Sequence, residues 1–253
     1  METQDPQMQE HPWLMLTLRR TGGTSLTGFL QSISSFPPIQ HEPFNPDRKL
    51  GWIARDFNAT GDAVRMAEQM TSALASRPNL KHCLEIVRPE LTRALIETCE
   101  ALGYRFLVLT RRDEAARLRS LALAVATGAW GPEQARKIYP RIRDGRQAPQ
   151  PVDLKWLEQL VRNDYALLGR CLRLLRNRRI PHRWLVFEEV YDSAGSRRAA
   201  GADLAADMGI VLADDDPRLA RFADRPSQNS HSIADHVPDH AAVVALLERL
   251  CLD

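Results

Sequence analysis

Arg20-Thr21-Gly22-Gly23-Thr24-Ser25 packs a guanidinium, three hydroxyls and two adjacent glycines into six residues. The glycines let the backbone turn tightly and expose its N–H groups, and a helix starting near Thr24 adds partial positive charge at its first turn. Arg20 contributes a full charge and Thr21, Thr24 and Ser25 contribute donors, so the segment reads as an anion site for a phosphate or a sulfate. A nucleoside-triphosphate loop needs Gly-x-x-x-x-Gly-Lys-Ser/Thr. No lysine follows either glycine here, which disfavours an ordinary ATPase or kinase. The plain alternative is a ligand-free glycine turn between a strand and a helix.

A second basic segment follows the apolar run ending at Thr110. In Arg111-Arg112-Asp113-Glu114-Ala115-Ala116-Arg117-Leu118-Arg119-Ser120, a helix beginning near Asp113 puts Ser120 two turns on. Arg112 and Ser120 are then placed to converge on a second phosphate. The competing reading is a helix start with solvated arginines.

The elements that must position these residues alternate in type. Trp13–Leu18 is an apolar strand, followed by a helix at about 24–34. Pro43, Asn45, Pro46 and Gly51 mark a loop, and helices are predicted at about 61–76 and from Pro89 to Leu102, where Gly103 stops the helix. Asn79–Leu84 reads as a strand end, and Tyr104–Thr110 as a strand covered on both faces. A helix at 113–126, an Arg/Gly/Pro-rich excursion at 128–151, and a long helix at 153–178 follow. Then come a strand at 184–187, a helix at 196–208, an irregular stretch at 213–236 and a closing helix at 238–251. Such alternation predicts an α/β fold with a mostly parallel sheet covered by helices on both faces. Ligands of these sheets sit outside the carboxyl ends of the strands. That edge gathers the loop after the first strand, the segments around Glu42 and His82, and the loop after Thr110.

The composition sets bounds. At 253 residues, 44% apolar and 26% charged, the chain reads as one globular domain over 1–253. No apolar run approaches a membrane span, and Met1–Glu10 is unlike a signal peptide, so a cytoplasmic enzyme is expected. Cys83, Cys99, Cys171 and Cys251 form no Cys-x-x-Cys pair, which argues against a zinc site or a disulfide framework, and no metal is expected. The net charge is only +2, yet lysine occurs just at positions 49, 81, 137 and 155, the remaining basic residues being arginine. Arginine recognises phosphate and sulfate with two-pronged hydrogen bonds. Arg162, Arg170, Arg173, Arg176, Arg178 and Arg179 on the long helix raise a nucleic-acid-binding alternative. Near-neutral charge and the lack of a helix-turn-helix or zinc module weigh against it, so no nucleic-acid partner is expected.

Taken together, the two basic segments resemble the sulfotransferases that use 3′-phosphoadenosine 5′-phosphosulfate. Arg20-Thr21-Gly22-Gly23-Thr24-Ser25-Leu26 is similar to their 5′-phosphosulfate loop, and Arg112 through Ser120 to their 3′-phosphate segment. His41-Glu42-Pro43-Phe44-Asn45-Pro46 is similar to a segment of bacterial carbohydrate and nodulation-factor sulfotransferases. Phe187-Glu188-Glu189-Val190 and Ser232-Ile233-Ala234-Asp235-His236-Val237 are weaker matches in the same order. The resemblance implies a P-loop-like three-layer αβα fold. It also implies sulfonate transfer from the phosphosulfate donor to an acceptor hydroxyl of a carbohydrate or glycolipid, releasing adenosine 3′,5′-bisphosphate. Arg20 takes the place of the family's loop lysine, stabilising the leaving phosphate. Glu42 is the first candidate base. His82 is the second, because Lys81-His82 resembles the Lys-Thr-His segment of the cytosolic aryl and steroid enzymes with one residue missing. Either base needs a pKa moved toward neutrality to work near pH 7. Arg225, Gln228, Asn229 and Ser230 are expected to frame the adenine. Arg141, Arg143 and Arg146 are candidates to line an acceptor cleft. A P-loop kinase, or a nucleotide-binding protein without catalysis, is the alternative.

Overall fold

The computed structural model describes residues 9–224 and 230–251. The chain divides into two compact units, Met1–Thr110 with Leu167–Arg225 and Arg111–Ala166 with Pro226–Asp253.

The first unit holds an all-parallel four-stranded sheet: β1 (Trp13–Thr17), β2 (Leu80–Cys83), β3 (Arg105–Thr110) and β4 (His182–Val186), in the order β2-β1-β3-β4. Residues of β1 are buried throughout, as expected for a strand with helices on both sides. Its side chains alternate between two cores. Trp13 and Met15 join Leu26, Phe29 and Leu30 of α1 (Gly23–Ile33), Leu204 of α9 (Ala194–Asp207), and Leu219 and Phe222 of α10 (Pro217–Ala223). Leu14 and Leu16 face the other way, into a core with Ile53 and Phe57 of α2 (Gly51–Thr60), Met66 and Met70 of α3 (Ala63–Ala73), and Leu91 and Leu95 of α4 (Pro89–Ala101). Cys171 and Leu175 of α7 (Leu154–Asn177) complete that face. A short helix, α8 (Phe187–Tyr191), follows β4 directly.

This is the expected α/β architecture, with helical layers on both faces of a parallel sheet. The boundaries follow local chemistry. Asp62 caps α3 by accepting from the Arg65 N–H at 3.0 Å, so the helix begins after Gly61 rather than at it. Pro89 opens α4 at a position where a missing N–H is harmless. Three departures from the sequence reading stand out. A helix, α2, occupies residues expected to be loop, α8 replaces the expected end of the fourth strand, and α10 lies in the stretch expected to be irregular.

In the second unit, α5 (Glu114–Thr127) is capped by Asp113, whose carboxylate accepts from the Ala116 N–H at 2.7 Å. A 3₁₀ turn (Ser230–His236) and α11 (His240–Leu250) pack with it, and the α6 helix (Pro132–Arg143) packs on the 3₁₀ turn. Its core is built on Leu118, Ala122, Leu157, Val161, Val243 and Leu247. Among the described residues, no helix is long and apolar enough to cross a membrane.

Candidate functional site

The turn from β1 into α1 is held rigidly from inside. Thr21 is buried, and its hydroxyl donates to the Thr17 hydroxyl at 2.5 Å, with the Leu18 carbonyl 2.9 Å away. Thr17 in turn donates to the Leu109 carbonyl of β3 at 2.8 Å. Thr21 thus ties the turn to the sheet, a different task from the ligand donor expected of it. Gly22 takes φ 79°, and an added Cβ there would lie 2.7 Å from the Tyr191 ring and 2.9 Å from that of Phe187. Tyr191 Oη also donates to the Gly22 carbonyl at 2.8 Å, so α8 clamps the turn from outside. Arg19 fixes the other flank: its backbone N–H and its Nε both bond Glu85 Oε1, at 2.7 and 2.9 Å.

Gly22 caps α1 with no side-chain hydrogen bond, and the first turn carries no acidic residue. The Gly22 carbonyl accepts from the Ser25 N–H at 3.1 Å, while the Thr24 side chain is exposed and that of Ser25 partly so. A helix start without a carboxylate of its own is an open anion site.

The residue that completes this site is Lys81. Parallel register sets Met15 opposite Lys81 and Leu16 opposite His82, so neighbouring β2 side chains leave the sheet on opposite faces. Lys81 emerges on the α1 face. Its Nζ donates to Glu42 Oε1 at 2.6 Å and reaches Thr24 Oγ1 at 3.4 Å, and a Cβ added to Gly23 would lie 3.0 Å from its Cε. The side chain is only 5% exposed. Burial works against the ammonium, but the Glu42 carboxylate bonded to it favours the charged form, and the pKa stays above its ordinary value. A charged lysine therefore lies beneath the helix start at neutral pH.

Glu42, the first candidate base in the sequence, lies beside the glycine turn through its bond to Lys81. Burial pulls its pKa up, but the Lys81 ammonium, with help from a 3.3 Å bond from the Cys83 thiol, pulls harder and leaves it below the ordinary carboxylate range. That shift runs opposite to the one a base near pH 7 requires. Glu42 (φ 55°) and Arg20 (φ 69°) both adopt left-handed backbone conformations. Each costs a non-glycine residue roughly 1–2 kcal/mol, and such strain concentrates at functional sites.

His82 is not brought to the glycine turn. It is buried on the other face, 2% exposed, with Nε2 bonded to Thr92 Oγ1 at 2.9 Å and its ring edge-on to Phe44. Burial lowers its pKa to about 4, so it is a neutral core histidine at physiological pH. Cys83, two residues from Lys81, shares the Glu42 side of the strand, and burial pushes its thiol well above the ordinary range.

The second basic segment belongs to the other unit. Arg112 is exposed just before the Asp113 cap, and Ser120 is half-buried on α5. Arg117, between them, is no solvated arginine. It is wholly buried and paired with Glu114 and with Asp164 of α7, which fixes α5 in place. Arg143 donates to Ser232 Oγ at 2.9 Å, and Arg146 pairs with Asp144. Arg225, Gln228 and Asn229 lie outside the described residues.

Lys81, Tyr191 and Phe187 are the site residues that sequence reasoning passed over. Lys81 was legible only as half of a dipeptide whose histidine drew the attention. Tyr191 reaches Gly22 across 169 positions. No protein-family model matches the chain, and no curated protein matches it.

Proposed function

We propose that the protein is a sulfotransferase, moving a sulfonate from 3′-phosphoadenosine 5′-phosphosulfate to a hydroxyl of a carbohydrate or glycolipid, on a P-loop-like αβα scaffold. The observation that carries the reading is the buried Lys81 ammonium beside Gly23 and Thr24, under an α1 start that has no acidic cap. A fixed cation and a helix start with no acidic residue suit a phosphosulfate, whose reaction needs positioning and stabilisation of charge on the leaving phosphate rather than covalent help.

In this mechanism the donor's 5′ end lies on the Gly22–Ser25 turn. Arg20 and Lys81 neutralise the phosphosulfate, with Lys81 placed deeper and Arg20 nearer solvent. Arg112 and Ser120 are assigned to the 3′-phosphate on the sequence resemblance alone. The acceptor oxygen attacks sulfur in line as the sulfur–oxygen bond to the phosphate breaks, and the acceptor proton passes to Glu42. Glu42 is a weak base while Lys81 is its partner. An anion drawing on the Lys81 charge releases part of that grip and raises the carboxylate pKa, so donor binding itself prepares the base. The setting proposed is the cytoplasm, where free Cys83, Cys99, Cys171 and Cys251 stay reduced.

Isothermal titration with adenosine 3′,5′-bisphosphate tests the reading. Binding in about the micromolar range, with little response to ATP and Mg²⁺, is expected; tight ATP–Mg²⁺ binding with no bisphosphate binding replaces it with the kinase reading.

A further inference from the structure

A cavity of about 260 Å³ lies between α4 and the second half of α7, in the same unit as the sheet. Its wall is apolar: Leu84 just past β2, Pro89 at the start of α4, and Leu167, Cys171 and Leu174 along α7. The Thr92 hydroxyl in this wall is already committed to His82 Nε2 at 2.9 Å. Polar recognition therefore falls to the rim, where Asn177 and three arginines, Arg93, Arg170 and Arg173, stand exposed. None of the three has an ion-pair partner among the described residues. The α4 carboxylates are engaged elsewhere. Glu97 and Glu100 pair with Arg178, while Glu90, bonded to its own backbone and to Arg88, feels Arg170 only through space. Three exposed guanidiniums without an ion pair of their own, one of them offset by Glu90 only through space, give the rim of this apolar opening a positive charge that suits an anion.

We infer that this cavity binds a small amphiphilic anion, its apolar body against Leu84, Leu167 and Leu174 and its acid group on Arg93, Arg170 and Arg173. The size selects the ligand. The volume exceeds the roughly 150 Å³ that accommodates benzene and falls short of the roughly 300–1,000 Å³ of drug-sized sites. One substituted ring or a short acyl chain fills it. The acid group is a carboxylate, sulfate or phosphate, all of which pair with a guanidinium fork.

The test is isothermal titration of the full chain with sodium octanoate and octyl sulfate, against 1-octanol and octyltrimethylammonium. Saturable binding of at least one anion is expected, with the cation bound at least tenfold more weakly; which anion binds better separates carboxylate from sulfate chemistry. In R170Q/R173Q, both sites being exposed and the fold intact by melting, anion affinity falls at least tenfold while octanol affinity holds. No saturable anion binding, equal affinity for the cation, or an unchanged affinity in the double variant overturns the inference. No residue of the glycine turn lines the cavity, so adenosine bisphosphate titrated into the same variant reads the nucleotide site separately.

Discussion

Replacing Lys81 by Met removes the buried ammonium while keeping the length and apolar stem of the side chain. Two effects follow, and they separate. Glu42, whose side chain is 21% exposed, loses its 2.6 Å partner. Breaking a fully buried pair costs about 3–5 kcal/mol. Partial access to water reduces that here to about 2–3 kcal/mol, or about 5–10 °C in Tm for a chain of this size. The second effect is on the anion. A charge-assisted hydrogen bond is worth about 1.5–3 kcal/mol, which predicts about a 10- to 150-fold loss of adenosine 3′,5′-bisphosphate affinity. The double variant K81M/E42Q distinguishes them. With the carboxylate neutralised no charge is left uncompensated, so most of the stability returns while the affinity does not. Thermal melts give the first quantity and titration calorimetry the second. If K81M folds and binds the bisphosphate within about twofold of the parent, Lys81 is a structural partner of Glu42 and plays no part in holding the anion.

Gly22→Ala forces a Cβ into the left-handed region and against Tyr191 and Phe187, and should cost about 2–4 kcal/mol in a urea melt. Gly23→Ala brings a Cβ to 3.0 Å from Lys81 Cε and 3.6 Å from Met15 Sδ, so the Lys81 stem must give by a few tenths of an ångström; the change should cost far less stability than Gly22→Ala yet weaken bisphosphate binding by shifting the ammonium. His82 has its folded pKa lowered to about 4 from 6.5, so the unfolded chain binds the extra proton first. Stability is therefore lost as pH falls from about 6.5 to about 4, by about 3 kcal/mol in all, and H82L should flatten that limb of the stability–pH curve. R112A/S120A should weaken adenosine 3′,5′-bisphosphate far more than adenosine 5′-phosphate in parallel titrations. Equal losses would remove the 3′-phosphate from those two residues.

Much of the layered architecture could be read directly from residue patterns. The runs of β1 and β3 are apolar without alternation, as strands covered on both faces must be, and Pro89, Gly103 and Asp113 mark helix ends by known backbone chemistry. The α2 helix was hidden because Gly51, following Pro43, Asn45 and Pro46, reads as the end of a loop. In the fold that glycine is the first helical residue, and it is small because a Cβ would collide with the Asn45 carbonyl. The same residue type marks a breaker in one context and a close backbone approach in the other. Local pattern does not distinguish them.

The glycine turn itself was visible, but the cation beneath it was not. A strand with one wet face announces by alternation which residues point where. The β2 residues Leu80, Lys81, His82 and Cys83 are all buried, so nothing local says whether Lys81 or His82 faces α1. Register with β1 decides it, and register is a tertiary fact: Lys81 pairs with Met15 and leaves toward the helix start, His82 pairs with Leu16 and leaves toward Thr92. A loop that lacks its own lysine therefore does not lack an ammonium. The neighbouring strand brings one alongside, holds it against Glu42 and places it within reach of Thr24.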